Sequence, residues 1–173
     1  MDEAGDDALA AAAGGGDRTA FSALVRRHER VVRGFLMRLA SGDADDLAQE
    51  TFLRAWSRAE TYGGGGRYRA WLLGIAWKTF LMNARARKRR PLGSADPAPE
   101  RAAPVDTEQE AIVADALARL RPEDRAAVLL CHLLGHSHHE AAEILGFPLG
   151  SLKSRVARGT AQLLALLGNG DTP

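Results

Sequence analysis

Ser137-His-His-Glu-Ala-Ala-Glu-Ile-Leu-Gly-Phe-Pro-Leu-Gly-Ser-Leu-Lys-Ser-Arg-Val-Ala-Arg158 is the stretch that decides the fold. Ser137 and Glu140 have the spacing of a capping box, in which the hydroxyl takes the amide three residues on and the carboxylate returns to the cap amide. The expected element is a short helix ending at Leu145, stopped by Gly146. A second helix then starts near Pro148, whose fixed φ suits a first turn, and runs to about Leu167. Two helices joined by a Gly-containing turn make a helix-turn-helix, whose second helix lies in the major groove of DNA. On that second helix Leu152, Val156, Leu163 and Leu167 are expected to face a core. Ser151, Lys153, Ser154, Arg155 and Arg158 are expected to face outward. Such cations and hydroxyls suit phosphates and base edges. The competing reading is a helical hairpin with a solvated basic face.

Working upstream, Pro122 opens a helix holding Ala126 to Leu134, and Ile112, Val113, Ala116, Leu117 and Leu120 mark one face of another. Before them lies 91–106, with prolines at 91, 97, 99 and 104. This is read as a flexible linker. Further back, Asp17 reads as an N-cap. After it Phe21, Leu24, Val25, His28, Val31, Val32, Phe35, Leu36 and Leu39 recur at helical spacing. Ser41-Gly42-Asp43 ends that helix and offers a cap for the next, from about Ala44 to Arg58. Gly63 to Gly66 is a loop, and a third helix spans roughly Tyr68 to Arg89. Residues 1–16, rich in Ala and Gly, read as a disordered tail. The fold class is all-α: a helical domain at 17–90, the linker at 91–106, and a second helical domain at 107–168. No strand is expected. Aromatics at 6% with abundant Ala, Leu and Arg favour helix.

Net charge is only +1, but the distribution is uneven. The first 17 residues carry Asp2, Glu3, Asp6, Asp7 and Asp17 and no base, whereas Arg67–Arg90 carries eight Lys and Arg and no acid. Such a stripe, with Tyr62, Tyr68, Trp71 and Trp77 nearby, fits nucleic acid: bases track phosphates and aromatics stack unpaired bases. The plainer account puts the tryptophans in the core, and for Trp71 alone core is the favoured reading. Asp45, Asp46, Gln49 and Glu50 open the helix before the loop, where acids also suit the helix dipole.

Cys131 is the single cysteine, so no internal disulfide is expected and a cytoplasmic location is. No segment nears the ~18 apolar residues of a membrane span, so no membrane insertion is expected. His132, His136, His138 and His139 straddle Gly135 and a helix start, which does not suit a tetrahedral zinc site. No metal or cofactor is expected, nor an enzyme: no nucleophile with a base, phosphate loop or paired carboxylates in a pocket stands out.

Taken together these pieces resemble the extracytoplasmic-function sigma factors of bacterial RNA polymerase, over about residues 18–167. Phe21-Ser-Ala-Leu-Val-Arg-Arg-His28 looks like the opening helix of their region 2. Asp45-Asp-Leu-Ala-Gln-Glu-Thr-Phe-Leu-Arg-Ala-Trp56 and Tyr68-Arg-Ala-Trp-Leu-Leu-Gly-Ile-Ala76 match its next motifs. Leu120-Arg-Pro-Glu-Asp-Arg125 and Gly150-Ser-Leu-Lys-Ser-Arg155 look like region 4. The resemblance implies a factor that directs RNA polymerase to specific promoters and initiates transcription without itself being an enzyme. Asp46, Gln49, Glu50 and Leu53 would dock on the polymerase beta-prime subunit. Arg67, Tyr68, Trp71, Lys78, Arg85 and Arg87 would engage the −10 element. Ser151, Lys153, Ser154, Arg155 and Arg158 would read the −35 element of promoter DNA. An anti-sigma factor is the further partner implied.

The chain departs from the family pattern at Lys78 and Met82, where Asn and Asp are usual, and at Gly159, where Ala is usual. Two alternatives stay open on the sequence: a sigma-like decoy that binds an anti-sigma factor, and a plain helix-turn-helix regulator. The basic stripe counts against the first. The Asp45–Trp56 motif counts against the second.

Overall fold

The computed structural model describes residues 3–40, 42–89 and 107–168. The expected linker, 91–106, lies outside the described residues. Among those described the chain is helical, with no strand: α1 (Glu3–Gly14), α2 (Arg18–Leu39), α3 (Ala44–Ser57), α4 (Tyr68–Arg89), α5 (Glu108–Ala118), α6 (Pro122–Val128), α7 (His138–Leu145) and α8 (Leu149–Gly168). A 3₁₀ turn at Ala59–Thr61 follows α3, and a wider π turn at Leu129–Leu133 prolongs α6. Internal contacts gather the chain into two units. Among the described residues, one holds 3–36 and 43–89, the other 107–168 with the short stretch 37–40 and 42.

In the first unit, α2, α3 and α4 supply the core. Leu24, Val32, Phe35 and Leu36 from α2 are buried, as are Leu47 and Ala55 from α3 and Leu72, Leu73, Ala76 and Trp77 from α4. Thr51 is buried with them because its hydroxyl donates to the Leu47 carbonyl at 2.7 Å, leaving no unmet polar group. Asp17 caps α2, its carboxylate accepting the Thr19 and Ala20 amides at 2.8 and 3.1 Å. Asp43 precedes α3 but makes no side-chain cap; its carboxylate accepts from Arg87 of α4 at 2.6 Å instead.

Residues 3–16 are not the disordered tail their composition implies, while residues 1 and 2 lie outside the described residues. Most of the segment is α1, which buries Ala10 and Ala13. It is held by Asp6, itself buried, which accepts from Arg27 at 2.9 Å and lies 2.8 Å from His28 Nε2. A buried carboxylate persists only where it is paired and hydrogen-bonded, and α2 supplies both partners.

In the second unit, Thr107 caps α5 through the Glu110 amide, and Pro122 sits in the first turn of α6. Arg125 is buried and donates to the Ala118 and Leu120 carbonyls at 2.6 and 3.0 Å, satisfying acceptors at the end of α5. Ser137 and Glu140 form the full capping box of α7, and Gly146 ends that helix with a left-handed φ of 71°. From α7 come buried Ala141, Ala142, Ile144 and Leu145, and from α8 Leu152 and Val156. Leu163 and Leu167, also expected in the core, are half-buried.

Candidate nucleic-acid interface

The α7–α8 corner presents the first half of α8 to solvent. Lys153 and Ser154 are exposed, and the Ser154 hydroxyl rests on the Gly150 carbonyl at 3.1 Å. Ser151 and Arg155 are half-buried. The Arg155 guanidinium lies 4.2 Å above the Phe147 ring and reaches the Ser151 carbonyl at 3.3 Å. It is therefore braced by the turn that positions α8.

Arg158 is exposed, as expected, but it is also paired. Its Nε and Nη2 fork onto the two oxygens of Asp124 at 2.8 and 2.6 Å, and Asp124 is buried in α6. That pairing raises the Arg158 pKa, the Asp124 hydrogen bond being the larger cause. Arg158 clasps α8 to α6 with the bidentate fork that a guanine contact would need.

Gly159, one residue on, explains another departure. It is buried, and a Cβ there would stand 2.7 Å from Val128 Cγ2 and 3.2 Å from the Asp124 carbonyl oxygen. The glycine lets α8 pass α6 at close range.

In the first unit the loop Tyr62–Arg67 and α4 carry the second set. Tyr62, Tyr68 and Trp71 form an aromatic cluster with centroids 5.2–5.5 Å apart. Tyr68 is buried rather than presented to solvent, and burial pushes its hydroxyl pKa above the ordinary tyrosine value. Trp71 is half-buried, while Arg67, Lys78 and Arg85 are exposed. Arg87 is also exposed, but its guanidinium holds Asp43. Trp77 is core, stacked with Phe80 at 5.6 Å.

The third set lies on α3. Asp46 and Gln49 are exposed, and Leu53 keeps 58% of its surface in solvent. Glu50 is half-buried and accepts from Arg54 at 2.7 Å, one turn along. Arg54 also reaches the Met82 sulfur at 3.4 Å, and Met82 is itself 49% exposed. Met82 thus joins the exposed edge of α3 rather than the aromatic cluster. Beyond these sets, His132 Nε2 lies 3.2 Å from the Thr160 hydroxyl, and among the described residues no group of three or more His, Cys, Asp or Glu is placed to hold a metal ion.

The family model for Sigma-70 region 2 matches residues 24–90, and that for Sigma-70 region 4 matches residues 110–163. The RNA polymerase sigma factor NccH of Alcaligenes xylosoxydans xylosoxydans is 35% identical over 178 residues, covering 94% of each chain. The ECF RNA polymerase sigma factor SigM of Mycobacterium tuberculosis is 38% identical over 171 residues, covering 96% of this chain and 86% of that one. The chain belongs to the extracytoplasmic-function sigma factors. It is a factor for promoter-directed transcription initiation, and the plain helix-turn-helix regulator is set aside because residues 24–90 are sigma region 2. A solved relative, the sigma factor RpoE bound to the anti-sigma factor NepR from Bartonella quintana, aligns with a TM-score of 0.71 at 29% identity, covering 86% of this sigma factor and 96% of that chain. No described helix is long and apolar enough to cross a membrane.

Sequence reasoning missed Asp6, Asp7, Asp124 and the packing role of Gly159. The first two lay in a segment read as a tail. Asp124 stood in a quoted motif, but its partner is 34 residues away and no spacing rule reaches that far.

Proposed function

We propose that this sigma factor docks on the beta-prime subunit through the exposed edge of α3, engages the −10 element with the Tyr62–Arg67 loop and α4, and reads the −35 element with α8. It works where the polymerase is, in the cytoplasm, and leaves catalysis to the polymerase. The observation that carries the reading is α3 itself. Its inner face is committed to the core, yet it keeps Asp46 and Gln49 in water and leaves Leu53, a large apolar residue, exposed beside them. An exposed apolar residue rimmed by polar groups has the composition of an interface centre.

On α8 the base-reading set narrows to Lys153 and Ser154, with Arg155 alongside. Arg67, Trp71, Lys78 and Arg85 are the −10 contacts. Tyr68 supports Trp71 from beneath. An anti-sigma factor is the proposed regulator, supported by the complex formed by the Bartonella quintana relative.

In vitro transcription with core polymerase on a promoter library tests the assignment. The wild-type chain is expected to select a defined promoter class. Asp46→Lys with Glu50→Lys should abolish selection by weakening core binding more than tenfold, as a close charge reversal at an interface does. Lys153→Ala should weaken −35 binding, whereas Arg158→Ala should lower thermal stability and leave −35 base preference intact. Failure of the wild-type chain to support transcription, with anti-sigma binding retained, would establish the decoy instead.

A further inference from the structure

Two donors of the glycine loop converge on one carboxylate that belongs to a different helix. Asp7 of α1 accepts the Tyr62 hydroxyl at 2.6 Å through one oxygen and the Gly66 amide at 2.8 Å through the other. The Tyr62 oxygen in turn accepts the Arg67 amide at 3.0 Å. One side chain thereby fixes both ends of the loop, although it lies 55 and 59 residues away in sequence from the groups it binds.

The loop needs such a brace. Gly64, Gly65 and Gly66 have φ of 75°, 85° and 70°, a run of left-handed residues that glycine adopts readily and also leaves readily. Holding three of them in one conformation costs backbone entropy, which a charge-assisted pair of hydrogen bonds offsets. The brace is anchored at its own end, since the neighbouring Asp6 is buried against Arg27 and His28 of α2. The Tyr62 hydroxyl, then the Gly66 amide, hold the Asp7 carboxyl below the usual carboxylate range, so it is ionised at neutral pH. Gly63, Gly65 and Arg67 stay exposed, so the carboxylate braces the loop without covering it.

We propose that Asp7 is a positioning residue for promoter recognition, presetting the Tyr62–Arg67 loop in the conformation that engages the −10 element. The proposal rests on the assignment of that loop to the −10 element. Asp7 acts through the loop and does not touch DNA.

Open-complex formation by the full chain with core polymerase, on a panel of −10 base substitutions, tests it. Asp7→Ala, which removes both hydrogen bonds, should reduce open complexes at least roughly tenfold, about what the loss of one charge-assisted hydrogen bond alone gives. It should also flatten preference among −10 bases while leaving affinity for a −35 duplex unchanged. Asp7→Asn, which keeps an acceptor for the Gly66 amide, should recover part of the loss. Tyr62→Phe, which removes the bond to Asp7 and the acceptor of the Arg67 amide, should show the same flattening and stands in if Asp7→Ala does not fold. Gly65→Val disturbs the loop directly and is the reference. If Gly65→Val flattens −10 preference and the Asp7 and Tyr62 variants do not, the loop assignment stands and the role of Asp7 is refuted. If none of the three alters preference, both fall. More open complexes from Asp7→Ala would make the carboxylate a plug and would equally overturn the proposal.

Discussion

At Gly159, α8 crosses α6 with no room for a side chain, and this inverts what helix propensity alone implies. Alanine at a helix interior is favoured over glycine by up to about 1 kcal/mol. Here its methyl would stand 2.7 Å from Val128 Cγ2 and 3.2 Å from a backbone oxygen. Val128 is buried and the oxygen belongs to α6, so neither neighbour yields cheaply. Overpacking of this kind costs about 1–3 kcal/mol, which outweighs the propensity gain. Gly159→Ala should therefore lower the urea midpoint, and adding Val128→Ala should cost less than the two single changes summed, because they share one contact. A midpoint unchanged or raised by Gly159→Ala would show that the crossing is loose. The adjacent Arg158–Asp124 clasp belongs to the same crossing, so a residue whose type and position suit base reading also ties α8 to α6.

Among the elements, α7 and α8 were legible because their boundary signals are local. Ser137 and Glu140 lie three apart, Gly146 stops the helix, and Pro148 starts the next, so each acts on backbone within its own turn. The starts of α3 and α4 were legible from the local Ser41-Gly42-Asp43 and Gly63–Gly66 breaks, although Asp43 makes no side-chain cap and pairs with Arg87 instead. Helix α1 was not, because its ties run to His28, Tyr62 and Gly66, and its Ala-rich stretch looks like low complexity. The surface assignments divide likewise. Exposure of Lys153 and Asp46 follows from periodicity and that of Leu53 was implied by the family resemblance, whereas burial of Tyr68 and pairing of Arg87 follow from tertiary neighbours. The docking of α1 through Asp7 has a pH signature. Its carboxyl is depressed below the ordinary aspartate value of about 3.9, mainly by the Tyr62 hydroxyl. Its stabilising contribution is thus full above the unfolded value and is lost as pH falls through the folded one. NMR titration of the Asp7 side chain should give a midpoint below the ordinary range, with the Gly66 amide shift following it. Tyr62→Phe should move that midpoint upward. A midpoint at or above the ordinary value would mean that the carboxylate does not hold the loop in solution.

For the whole molecule, the sequence separates two functions along the chain. Sigma region 2 and sigma region 4 fall on either side of residues 91–106, and each unit has its own buried core. The connecting stretch counts 16 residues, which at full extension reach at most roughly 53–58 Å. At about 3.4 Å per base pair that is the length of roughly 16 base pairs of duplex. If it is the linker the sequence implies, its length together with the widths of the two helical units bounds the separation of the two promoter elements that one molecule can engage together. Deleting 94–101 halves that reach to roughly 26–29 Å, or about 8 base pairs. The deletion removes no residue of any described helix, α4 ending at Arg89 and α5 beginning at Glu108, so both units should melt as in the intact chain and α8 should still bind an isolated −35 duplex. Transcription from a promoter of native spacing should be lost, because linking two binding modules gains nothing once the linker cannot span both sites. Activity should return on templates whose −10 and −35 elements are moved closer together. Full activity at native spacing, with no gain at shorter spacing, would show that residues 91–106 do not set the distance between the elements.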